Sequence, residues 1–118
     1  MEYIPTFESY SGPMIASVMT NAGEYIVTGL GGRQITRRSI PYGEILVGFS
    51  TDLIVTKRNS ELITFTPDFN RINSMTLASG DEVRGIVGPN ILVYRKGDNT
   101  LITYDKNFRR ITSYSVIQ

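Results

Sequence analysis

The sequence predicts an all-β protein built from three copies of one four-stranded meander, and three observations carry that expectation. The segments 62–77 (LITFTPDFNRINSMTL) and 101–116 (LITYDKNFRRITSYSV) align without a gap and share 7 of 16 positions. Short runs rich in β-branched and aromatic residues alternate with Gly, Pro, Asn and Asp turns throughout the chain. No window of a dozen residues keeps the three-and-four apolar spacing of an amphipathic helix.

The last copy shows the unit most plainly. Glu82–Val87 (EVRGIV) reads as a strand closed by Gly88-Pro89-Asn90. Leu92–Tyr94 and Leu101–Tyr104 read as a hairpin around Lys96-Gly97-Asp98-Asn99, where the turn residues supply the required backbone conformations. After the break at Asp105-Lys106-Asn107, Ile111, Ser113 and Ser115 alternate against Thr112, Tyr114 and Val116 with the period of a half-buried strand. The unit is about 39 residues long.

An earlier copy appears when 16–40 is slid onto 53–77 with an offset of 37: Val18 falls on Val55, Glu24 on Glu61, Ile26 on Ile63 and Ile35 on Ile72. Against the last copy, Arg33, Ile35 and Thr36 match Arg109, Ile111 and Thr112. The units are then 3–40, 41–79 and 80–118 within a single domain, 1–118, with twelve strands in total. In the first unit Thr6–Tyr10 is the expected opening strand, Ser11-Gly12-Pro13 its turn, and Asn21-Ala22-Gly23 the hairpin turn. The expected core is Val18 with Val55, Ile26 with Ile63 and Ile102, Ile35 with Ile72 and Ile111, and Leu62 with Leu101, joined by Leu53, Leu92 and Val93. Equivalent positions are expected to be equally buried.

The succession of apolar strand, polar turn, LITYD, short turn and polar-alternating outer strand resembles the blade repeats of WD40 and quinoprotein-type β-propellers. The resemblance is best in LITYDKNFRRI and is one of pattern, since the chain has neither His nor Trp and so lacks the Gly-His and Trp-Asp dipeptides of WD40 repeats. It implies that each unit is a blade. Propellers close with four to eight blades, so three blades form an open arc with unpaired edges, and two chains make six. The expected fold is therefore half of a six-bladed propeller completed by homodimerisation; a monomeric β-trefoil, which also uses three units, is the alternative.

Composition narrows the chemistry. With no His and no Cys, the chain lacks the commonest general base, the commonest metal ligand and thiol nucleophiles, and it is not expected to be an enzyme or to hold a metal or a cofactor. Asp81-Glu82 and Asp98 lie in turns, where acids serve the backbone. Gly29-Leu30-Gly31-Gly32-Arg33 lacks the Gly-Lys-Ser/Thr of a phosphate loop and reads as a flexible turn. Four basic pairs (Arg37-Arg38, Lys57-Arg58, Arg95-Lys96, Arg109-Arg110) are offset overall by 11 acids against 12 bases, which disfavours nucleic acid. The first 32 residues carry three Glu and no Lys or Arg, whereas Arg33, Arg37, Arg38, Lys57 and Arg58 crowd the next 26, an asymmetry that suits head-to-tail contact.

The expected function is a regulatory or inhibitory binding module for another protein or a small anionic ligand. A carbohydrate-binding lectin using the seven Tyr, and a nucleic-acid-binding protein, are the alternatives. With no apolar run long enough to span a bilayer, no membrane association and a cytoplasmic location are expected; so short a self-assembling chain would suit a compact genome such as a phage's. The expected ligand site centres on Arg84, matched in the alignment to Leu46 and so a charge in an apolar slot of an innermost strand, with Tyr42, Arg58, Lys96 and Asn99 rimming one end.

Overall fold

The computed structural model describes residues 13–116, and the strand expected at Thr6–Tyr10 lies outside them. Eleven strands and no helix occur among the described residues. A three-stranded sheet contains β1 (Ile15–Asn21), β2 (Glu24–Gly29) and β3 (Gln34–Ser39). The second sheet contains β4 (Glu44–Phe49), β5 (Ile54–Arg58), β6 (Glu61–Phe65) and β7 (Arg71–Thr76). The third contains β8 (Glu82–Val87), β9 (Asn90–Arg95), β10 (Thr100–Tyr104) and β11 (Arg110–Ser115). Every pairing is antiparallel between strands adjacent in sequence. No strand of one unit pairs with a strand of another among the described residues, so the barrel of a trefoil is not formed.

The three sheets stack face to face in sequence order. One core joins Val18, Tyr25 and Val27 of the first sheet to Ile54, Ile63 and Phe65 of the second. The other joins Leu53, Val55 and Leu62 of the second to Ile91, Val93 and Ile102 of the third. Period-two alternation explains the division: along β5 and β6 side chains on both faces are buried because both faces are covered, giving near-continuous burial from Leu53 to Thr56 and from Leu62 to Phe65. The stack is closest at the leading strands, where β4 touches both β1 and β8. Its shortest dimension, 22 Å, is close to the length of one six-residue strand, about 20 Å.

Register sharpens the repeat. A bulge residue sits at Ile35, Ile72 and Ile111 in the pairing of β2 with β3, β6 with β7 and β10 with β11. The turn before each bulge is also the same: the amides of Gly32, Phe69 and Phe108 donate to the carbonyls of Gly29, Thr66 and Asp105, and all three donors have φ between 62° and 86°. That conformation suits Gly32, but Phe69 and Phe108 adopt it against a cost of about 1 kcal/mol or more. Packing repays it, for the Phe69 ring stacks on Tyr25 at 5.1 Å and Phe108 meets Tyr104 edge-on at 6.3 Å.

Two sequence expectations are corrected. The bulge at Ile111 interrupts the simple alternation of the last strand, because two residues there oppose one. Bulges also lie between Leu46 and Gly48 and between Val83 and Gly85, which makes Val47, not Leu46, the counterpart of Arg84. The hairpin Lys96–Asn99 is two residues longer than Asn59-Ser60, so the offset between the second and third copies is 37 before it and 39 after it.

Equivalent positions are not equally buried, and the inequality follows position in the stack. Ile63 and Ile102 are 6% and 1% exposed, whereas Ile26 is only partly buried on the uncovered back of the first sheet. Ile72 packs into the second core, whereas Ile111 is 50% exposed on the uncovered front of the third. Leu92 and Leu101 are likewise only partly buried.

Two buried hydroxyls among the described residues, those of Tyr25 and Thr56, have no hydrogen-bond partner, and the second has an apolar counterpart. Thr56 is fully buried and its hydroxyl has no hydrogen-bond partner among the described residues, while Val93 fills the matching slot of the third sheet. Thr56→Val keeps the shape and removes an unsatisfied group; chemical denaturation should show it more stable by about 1 kcal/mol.

Candidate functional site

The seam between the first and second sheets is built around a charge. Arg38, on β3, lies over Phe65 at 4.9 Å and Phe69 at 4.8 Å, and within 5.9 Å of the Tyr25 ring. Its guanidinium donates to the Glu44 carboxylate at 2.9 Å, and the Glu44 side chain is almost wholly buried. The Tyr25 hydroxyl is buried beside the same carboxylate but meets no acceptor in good hydrogen-bond geometry. Burial first, and then the negative charge of Glu44, hold this phenol well above its ordinary pKa of 10.0, so Tyr25 is neutral and backs the Phe69 ring.

This cluster floors a cleft of about 320 Å³ whose walls include Pro41, Arg58, Glu61 and Arg71. Arg71 is 3.6 Å from Glu61 and donates to the Ser74 hydroxyl at 2.7 Å. Arg38 is answered by Glu44 in the same way. Arg58, exposed at the end of β5, forms no ion pair among the described residues. The cleft therefore combines an aromatic floor, two neutralised guanidinium groups and one whose charge is unanswered. Such a set can accept an oxyanion, with Arg58 supplying a planar pair of donors.

The residues expected from sequence fall into three places. Tyr42, 94% exposed, follows Pro41 in the turn before β4, so it stands beside the cleft that Arg58 lines. Lys96 and Asn99 belong to the β9–β10 hairpin. The Lys96 amide donates to the Asp81 carboxylate at 3.2 Å, and Asn99 accepts from the Tyr94 hydroxyl at 2.6 Å and donates to the Val116 carbonyl at 2.9 Å. The antiparallel meander puts all four residues at the same end of the sheets.

Arg84 is apart from them. It pairs with Glu82 at 2.7 Å and lies 4.6 Å over the Tyr94 ring, on the uncovered front of the third sheet. The segment 29–33 is the first-sheet version of the Phe69 and Phe108 turns.

Sequence reasoning passed over Arg38, Glu44 and Arg71. Arg38 looks like half of a solvated Arg-Arg pair, yet the repeat alignment sets it opposite Met75, an apolar slot, and that mismatch is the signal that could have found it.

No protein-family model and no curated protein matches this chain. Among solved structures it is similar to BamB from Moraxella catarrhalis, with 15% identity and a TM-score of 0.46 over 86% of this chain. The similarity spans 35% of the BamB chain.

Proposed function

We propose that the chain is a non-enzymatic binding module, three blades of a six-bladed propeller completed by a second copy, which takes a small anionic ligand or an acidic protein side chain in the cleft between its first two sheets. The observation that carries the site is Arg58: its guanidinium stands unpaired among the described residues at the lip of a cleft whose other cations are already neutralised. The volume, about 320 Å³, lies at the lower end of ligand pockets, which run from about 300 to 1,000 Å³, and suits a phosphate ester or a polycarboxylate. A non-enzymatic role agrees with a sequence free of His and Cys. Two copies agree with the uncovered faces at both ends of the stack, since six blades fall within the range that closes.

The test is calorimetric titration of the native protein with inorganic phosphate, nucleoside monophosphates and citrate, repeated with Arg58→Met and Arg84→Met. Arg58→Met keeps the stem and removes the charge; it should weaken binding by about tenfold or more. Arg84→Met should bind as the native protein does, because Glu82 already answers Arg84. If no anion binds, or if Arg84→Met alone abolishes binding, the cleft is not the site.

A further inference from the structure

We infer that the front of the third sheet seats the back of the first sheet of a second copy, with Tyr114 filling a hollow above Thr28 and Gly32 of that copy. This rests on the two-copy reading above and specifies its seam.

The first ground is the repeat itself. In the two seams within the chain, the front of one sheet covers the back of the next with the same positions in contact. The front of the third sheet carries Leu92, Leu101 and Ile111, whose counterparts Val55, Leu62 and Ile72 all pack into the second core. Here they are only partly buried or, for Ile111, 50% exposed. Tyr114 on the same front is 57% exposed, and Met19, paired with Ile26 on the back of the first sheet, is 59% exposed. An apolar front with this register fits a back face of the same fold, and the back left uncovered among the described residues is that of the first sheet.

The second ground is an exchange of volume. In the first seam Arg38 lies over Phe65 and Phe69, and in the second its counterpart Met75 packs into the core that holds Tyr104 and Phe108. The next residue in that series is Tyr114, a bulkier ring, 57% exposed. The back of the first sheet has lost the matching bulk: Thr28 stands where Phe65 and Tyr104 stand, and Gly32 where Phe69 and Phe108 stand. A Cβ at Gly32 would meet nothing within 4 Å. Large on one face and small on the other at the same register is what a seam between them requires.

The second seam adds one polar contact, which the first lacks because Val27 stands in the place of Thr64. The Thr64 hydroxyl donates to the Lys106 carbonyl across the second seam at 2.8 Å. Thr103 is its counterpart on the open front, and the matching carbonyl is that of Leu30 in the second copy. In a closed ring of two copies the seam occurs twice, related by a two-fold axis, so Tyr114 of each copy faces Thr28 of the other, and six sheets complete the ring.

Sedimentation equilibrium tests this on the native chain, Tyr114→Glu, Thr28→Phe and the double variant Thr28→Phe/Tyr114→Met. Circular dichroism shows in parallel that each variant is folded. The native chain should sediment at twice its 13.2 kDa mass. Tyr114→Glu and Thr28→Phe should each weaken association by about tenfold or more, and the double variant, which rebuilds the Met75 type of seam, should recover most of it. A folded native chain that stays monomeric at its highest soluble concentration overturns both the two-copy reading and this seam. A native dimer that both single variants leave intact overturns the seam alone.

Discussion

Arg38→Ala should destabilise the protein by about 3 kcal/mol or more in urea unfolding, because it strands the Glu44 carboxylate in the seam between the first two sheets. The loss has two parts. The Glu44 side chain is almost wholly buried and would lose the cation that contacts it and offsets its desolvation. The guanidinium plane that fills the space over Phe65 and Phe69 would also disappear, leaving the rings a void. A double variant separates these parts. Arg38→Met/Glu44→Leu removes both charges and makes the seam apolar like the second one, where Met75 takes the place of Arg38. It should regain most of the stability, since replacing a buried ion pair with apolar residues is often neutral or better. If Arg38→Ala costs less than about 1 kcal/mol, the pair behaves as a surface salt bridge and the seam does not depend on it.

Ile102→Ala should cost about 2 to 4 kcal/mol through lost transfer energy and the cavity left behind. Ile102 is 1% exposed and lies in the core shared by the second and third sheets. Ile63→Ala, in the matching slot of the second sheet, should cost a similar amount. Ile26→Ala, the third member of the set, should cost clearly less in dilute solution because the back of the first sheet is uncovered. Its cost should then rise with protein concentration if a second copy covers that back. Equal costs at all three positions would show that burial does not follow place in the stack.

Much of the fold was legible in the sequence because the repeat is carried by residues with local roles. The run LITF and its counterpart LITY mark the third strand of the second and third units, and Asp105-Lys106-Asn107 marks the turn after the latter. The bulges were not legible, since a bulge residue such as Ile72 or Ile111 is an ordinary apolar strand former. The extra two residues of the Lys96–Asn99 hairpin were not legible either, and an offset one residue too large before it set Arg84 against Leu46 instead of Val47. The candidate site was legible only in part. Arg58 and Tyr42 could be read as turn residues at one end of the sheets, but the cleft that Arg58 lines depends on how two sheets stack, which pattern within one sheet does not encode. Arg38 shows the same limit: its sequence neighbours describe an exposed strand, and only the facing rings of Phe65 and Phe69 turn it into part of the interior.

No hydrogen-bonded ladder crosses a seam among the described residues. The sheets are joined by side-chain packing and by isolated bonds such as Ile15 to Thr51 and Ser50 to Gly88. Free energy then accumulates as in a linear array of nearest neighbours, with each sheet contributing its own term and one coupling per seam. In a copy without its partner, the second sheet has two couplings, whereas each end sheet has one. Local opening therefore starts at the ends: the amides of β11, exposed along its length, exchange with solvent first, and those of β5 and β6 exchange only when the array comes apart.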